Sequence, residues 1–150
     1  MKHKILPGKS SDIEGLILRE SDIDELKACC SGIPEEQLRE SWETSEMRYT
    51  IWYGDKVAGV FGCAGIAGKF GVPWMLGSDL TSKVKRVFIV DAKVYVELML
   101  KKYNRLMNFV YSKNKQSIRW LEWIGYTLEK PVPFGEFGEL FHPFHKESNV

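Results

Sequence analysis

The side chains able to ligate a metal, attack a carbonyl or pass a proton are few and scattered. His142 and His145 stand three apart in Phe-His-Pro-Phe-His near the end of the chain, a spacing that invites a metal reading. In an extended segment, residues three apart point to opposite faces, and the sequence fixes no carboxylate or cysteine cluster beside them, so no metal site is expected. The cysteines number three, with Cys29 and Cys30 adjacent and Cys63 alone. They form neither a disulfide framework nor paired zinc spacing, and they lack the helix-start or Cys-His context that activates a thiol. They read as reduced thiols that pack as small hydrophobes. Gly59, Gly62, Gly65 and Gly68 recur every third residue, which is not the spacing of a phosphate loop. A strand packed closely against neighbouring backbone explains them better.

The most ordered pattern is the run from Asn114 to Tyr126. Asn114 is a good N-cap, Ile118, Leu121 and Ile124 recur at helical spacing, and Gly125 can take the left-handed conformation that ends a helix. Tyr126 then opens a strand. Trp120 and Trp123 are neighbours on the surface of this helix. One of them belongs in a core, yet an aromatic pair at a surface is also what a partner-binding anchor looks like, so both are candidate protein-contact residues.

These residues need a framework, and composition bounds it. At 150 residues, with 44% apolar and 13% aromatic content, the chain is one domain with ample material for a core. Lys and Arg number 21 against 20 acids, a formal charge of +1, which makes no general electrostatic case for nucleic acid or an anionic membrane. Specificity must come from a local surface. The longest apolar stretch, 57–67, is about half of what a bilayer span needs and is broken by glycines. The first residues lack the apolar core of a secretory signal. The protein is expected in the cytoplasm where it is made, or packaged from there.

Along the chain, residues 1–14 are polar and marked by Pro7, Gly8 and Ser10-Ser11, and read as an arm. Gly15 to Arg19 is a short strand candidate. Helices follow from Ser21 to about Ser31, closed by Gly32, and from Pro34 to about Thr44. Arg48–Tyr53 and Lys56–Phe61 make a hairpin about Gly54-Asp55. Phe70–Leu76 is a further strand, with Pro73 calling for an edge position or a bulge. The period then becomes helical from Thr81 to Tyr103. Arg105–Tyr111, Tyr126–Leu128 and Leu140–Phe144 are the remaining strands.

Strand, two helices, three strands, helix, strand, helix and two strands is an order that resembles the GNAT acyltransferase superfamily over residues 15–146, leaving 147–150 as a tail. The Asn114–Tyr126 run is similar to the fourth-helix signature of that family. The resemblance implies an α+β fold with a mixed, mostly antiparallel sheet of about six to seven strands flanked by about four helices. It also implies acetyl-CoA as cofactor and a pyrophosphate site where the fourth strand meets the long helix. There the chain reads Leu76-Gly77-Ser78-Asp79-Leu80-Thr81-Ser82-Lys83. On this resemblance Leu76, Gly77, Ser78, Ser82, Lys83, Asn114 and Ser117 are the cofactor-binding candidates. Helix-start amides suit a pyrophosphate, but one glycine remains and Asp79 brings negative charge, offset in part by Lys83, Lys85 and Arg86. The same residues also make an ordinary Ser/Asp/Thr-capped helix start. Leu121 occupies the place where many of these enzymes keep the tyrosine that protonates the departing thiolate, and it cannot act as an acid. No catalytic residue is assigned.

The run Lys113–Gly125, the glycine-marked loop, Leu140-Phe141 and the step Lys102–Leu106 are also similar to small internal virion and acetyltransferase-like proteins of short-tailed phages. That resemblance implies a phage protein using a GNAT-like scaffold with a degenerate acetyl-CoA site. Its partners would be virion or host proteins. The alternative is a working acetyl-CoA-dependent N-acetyltransferase acting on a protein or small amine.

Overall fold

The computed structural model describes residues 2–66 and 69–148, with the side chain of Val87 left aside. Strand β1 (His3–Pro7) leads through a 3-10 turn (Ser10–Ile13) to helices α1 (Glu20–Cys29) and α2 (Pro34–Thr44). Strands β2 (Met47–Tyr53), β3 (Lys56–Ile66) and β4 (Phe70–Gly77) follow, then the long helix α3 (Thr81–Tyr103). Strand β5 (Arg105–Tyr111), helix α4 (Lys115–Ile124) and strands β6 (Thr127–Leu128), β7 (Val132–Phe134) and β8 (Glu139–Glu147) complete the chain. The eight strands form one sheet in the order β1-β2-β3-β4-β5-β8-β6, with β7 also on β8. Every pairing is antiparallel except β4 with β5. This is the expected mixed, mostly antiparallel α+β sheet, with β1 and β7 as additional strands.

Three expectations are corrected. The 1–14 segment is not a free arm, because His3–Pro7 pairs with Pro7↔Tyr49 through His3↔Tyr53 along β2. Ile5 of this edge strand packs against the core, and Pro7 falls at its end, where a missing N–H costs least. Residues 14–19 are a connector rather than a strand. The backbone there is committed elsewhere: Arg19 N–H donates to the Gly77 carbonyl and its own carbonyl starts α1. The last strand extends to Glu147, so the proposed 147–150 tail begins inside the sheet.

Helix ends follow local chemistry. Asn104 takes φ 64° to close α3. Gly125 takes φ 111° to close α4, where the amides of Gly125 and Tyr126 return to the Leu121 carbonyl and reverse the chain into β6. Gly62 shows why the β3 glycines matter, since a Cβ there would strike the Met47 carbonyl and the Trp74 ring. Gly68 lies outside the described residues. Cys29 and Cys30 have their sulfurs in contact at the end of α1, a joined pair where two independent thiols were expected. Cys63 is buried, and burial pushes its thiol up to about 12.

Alternation along β3 and β4 gives each face of the sheet its own core. Phe61, Cys63 and Met75 face α3 and α4, together with Phe88, Met99 and Val110. Val60, Leu76 and Trp74 face the other way, against Leu18, Leu38 and Trp42 of the α1–α2 side.

Candidate functional site

The site begins with a defect in the sheet. β4 and β5 are parallel neighbours, yet their ladder registers only Gly71↔Leu106. Beyond that pair the strands part. Pro73 sits at this opening. Its carbonyl accepts from Asn108 Nδ2 at 2.7 Å, so its missing N–H also faces the parted side, where no ladder bond is lost. The edge position expected for Pro73 is therefore met inside the sheet.

The opening leads to a cleft of about 520 Å³ with mostly apolar walls, including Phe61, Trp74, Phe88, Met99, Phe109 and Phe134. Polar groups gather near the helix starts: Arg19, Glu25 and Ser117 also line it. Such a cavity, apolar with a few convergent polar groups, is the form that small-molecule sites take.

Arg19 controls the approach from α3 and α4. Its Nε and Nη2 donate to Asp22 Oδ2 and Oδ1 at 2.9 and 3.1 Å, and the pair is 6% and 1% exposed. Nη1 donates to Thr81 Oγ1 at the start of α3 and to Gln116 Oε1 in the first turn of α4, each at 3.3 Å. Nη2 also donates to Ser117 Oγ at 3.2 Å. The guanidinium lies 4.8 Å from the Trp120 ring centroid. One cation thus joins the starts of three helices, where the macrodipoles disfavour positive charge, and Asp22 offsets it.

The loop before α3 has its amides engaged internally. Gly77 N–H donates to Asp22 Oδ2 at 2.8 Å, and Ser78 N–H to the Ala58 carbonyl at 2.9 Å. Leu80 N–H is taken by Ser78 Oγ at 3.2 Å. The amides of Thr81, Ser82 and Lys83 return to the carbonyls of Ser78, Asp79 and Leu80. An anion here would have to displace these partners, Asp22 above all.

Glu25 supplies the site's unusual acid. Its Oε1 accepts from Tyr111 N–H at 2.8 Å and Asn114 Nδ2 at 3.3 Å, tying α1 to the end of β5. Burial is the largest influence and pushes its carboxyl up to about 7, against the lowering effect of these hydrogen bonds. A carboxyl with that affinity can hold or release a proton near neutrality.

The residues read from the sequence divide accordingly. Leu76 and Ser117 line the cleft. Gly77 and Ser78 are bound up in the loop contacts, the Ser82 hydroxyl donates to the Asp79 carbonyl, and Lys83 is exposed. Asn114 caps α4 through Ser117 N–H and reaches Glu25 rather than open space. Trp120 is 6% exposed and packs on Phe88 beneath Arg19, whereas Trp123 is 61% exposed, so only Trp123 offers its ring to solvent. Leu121 packs into the core at the cleft wall. His142 Nδ1 meets the Glu129 carbonyl, while His145 bridges Glu129 and Glu147, whose carboxylates raise its pKa. Sequence reasoning missed Arg19, Asp22, Glu25 and Gln116. The only available signal was Arg19 three residues before Asp22, next to the apolar run Leu16–Leu18.

A family model described as "Bacteriophage T7, probable scaffold protein Gp13" matches residues 57–131, half of the chain. The chain belongs to that family. The part matched to Gp13 runs from β3 through α4 and β6, and so contains the β4–β5 opening. No curated protein matches the sequence. Solved structures are similar in shape. A protein assigned as a phosphinothricin N-acetyltransferase superposes with TM-score 0.71 at 13% identity, over 99% of this chain and 100% of that one. Ard1 from Thermoplasma volcanium gives 0.67 at 12% identity, over 99% of each chain. Spermidine N-acetyltransferase from Vibrio cholerae, in complex with CoA and spermine, gives 0.68 at 13% identity, over 97% and 95%. At such identities the likeness establishes the fold, which is that of the GNAT acetyltransferases.

Proposed function

We propose that this Gp13-family chain is an assembly protein of a phage particle that keeps the acetyltransferase fold as a support, with a degenerate acetyl-CoA site. It is made in the host cytoplasm and enters the virion or binds a host protein there. The carrying observation is the Asp22 carboxylate on the Gly77 amide, with Arg19 lying across from α3 to α4. A pyrophosphate at Gly77, Ser78, Ser82 and Lys83 would have to displace the buried Asp22 carboxylate from the Gly77 amide and backbone carbonyls from the other three. Leu121 in place of an acid supports the same reading. Trp123 is the partner-contact residue of choice, because it is a large exposed aromatic on a well-formed helix.

One observation favours a second reading, an acetyl-CoA-dependent N-acetyltransferase. The cleft is roomy enough for a thioester arm, and Glu25, with its pKa near neutrality, lies on its wall as a base for an amine. Asn114 and Ser117 would then serve the cofactor from α4. Calorimetric titration of acetyl-CoA and of free CoA into the protein separates the two. The assembly reading expects no heat of binding at millimolar ligand. Micromolar affinity for both ligands would overturn it and direct work to an amine screen with a Glu25→Gln control.

A further inference from the structure

The outer face of α3 carries an apolar stripe that nothing among the described residues covers. Val90, Val94 and Leu98, spaced four apart and therefore aligned on one face, are 67%, 61% and 43% exposed. The charges on this helix are mostly basic: Lys83, Lys85, Arg86, Lys93, Lys101 and Lys102 against Glu97 and Asp91, the latter part-exposed and paired with His3. Lys102 is paired with Glu46, which leaves the basic excess intact.

The opposite side of the molecule has the complementary character. α2 exposes Glu35, Glu36, Glu40 and Glu43 against Arg39, and Ile33 just before it is 55% exposed. The faces are opposite because Phe61 and Met75 point to α3 while their neighbours Val60 and Leu76 point to α2. A chain of near-zero net charge thus has a basic face with an apolar stripe and an acidic face with an apolar residue at its edge.

From this charge complementarity we infer that copies of the chain associate head to tail, the α3 face of one docking on the α2 face of the next. An α3-to-α3 dimer would place basic residues against basic residues, which the charges oppose. A contact between two different faces is heterologous, so it leaves a free face at each end and builds rings or open filaments. The inference does not depend on whether the cleft binds acetyl-CoA, and its test does not read the cleft.

Sedimentation velocity of the full chain at about 20 mM salt should show mass rising with concentration beyond a dimer, and dispersal at about 500 mM salt as the charges are screened. Lys93→Glu with Lys101→Glu should be monomeric, as should Glu36→Lys with Glu43→Lys, both with the parent's circular dichroism. Mixing those two variants should restore assembly, since each then offers what the other lacks. Val94→Glu should also be monomeric. A chain monomeric under every condition, a species that stops at two, or charge-reversed variants that assemble like the parent would each overturn the inference.

Discussion

Arg19 and Asp22 form a buried ion pair in which both carboxylate oxygens meet the guanidinium, and Asp22 Oδ2 also receives the Gly77 amide. The pair fastens the connector before α1 to the start of α3. Its two members cannot be judged separately, because removing one strands the other's charge in the interior.

Arg19→Met should therefore cost about 3–5 kcal/mol of stability, the usual penalty for an unpaired buried charge. Arg19→Met with Asp22→Leu should lose less than Arg19→Met alone. Urea denaturation of the three proteins checks this. If the double variant is the less stable, the apolar replacement does not relieve the stranded charge.

Glu25 makes stability depend on pH with a definite sign. Its folded pKa is about 7, above the ordinary 4.5, so the folded state binds more protons than the unfolded state between those values. The contribution is present below about pH 4.5 and is lost as pH rises through about 7, a difference on the order of 3 kcal/mol at most. Glu25→Gln keeps the oxygen that serves Tyr111 and Asn114 and removes the titration. Relative to the parent, the variant should gain stability between pH 5 and pH 8. An unchanged difference across that range would show that Glu25 is ionised at little cost.

The two tryptophans of α4 should respond oppositely. Trp120→Ala empties a buried site beneath Arg19 and against Phe88, and should cost about 3–5 kcal/mol. Trp123→Ala should stay within about 0.5 kcal/mol of the parent in urea. Equal losses would mean that Trp123 also carries packing.

Local grammar made most of this fold legible beforehand. The Asn114 cap and Gly125 stop define α4, Pro34 and the following acids define α2, and the change of period at Thr81 defines α3. The misses share a cause. β1 puts Ile5 on the core but owes its place to pairing with β2, and residues 16–18 alternate, Leu16 and Leu18 inward and Ile17 outward, without forming a ladder, because the Arg19 amide goes to the Gly77 carbonyl. The same holds at the site: Arg19, Asp22 and Glu25 acquire their roles from partners distant in sequence, including Thr81, Tyr111 and Ser117. Single positions could be read where the cause was local, and not where it was tertiary.

Asn114 joins these levels, because it caps α4 and donates to Glu25. Asn114→Ala should cost about 1 kcal/mol through the cap. It should also push the Glu25 carboxyl further up, since that hydrogen bond favours the ionised form. Carbon-13 NMR titration of Glu25 in both proteins would read the change. A midpoint that stays or falls would mean that Asn114 does not hold Glu25.

The single backbone pair between β4 and β5 divides the sheet into two leaves, β1–β4 and β5–β8, riveted at Gly71 and Leu106. Within the first leaf the long ladders run over five to eight residue pairs, with one register shift at Ile51/Trp52, whereas across the seam the bonding falls to that rivet, the Asn108–Pro73 link and the helices laid over it. The molecule is thus stiff along its leaves and compliant between them. A load arriving on α2 is received by the first leaf, and it reaches the second mainly through side chains, so the seam sets how much of it is passed on.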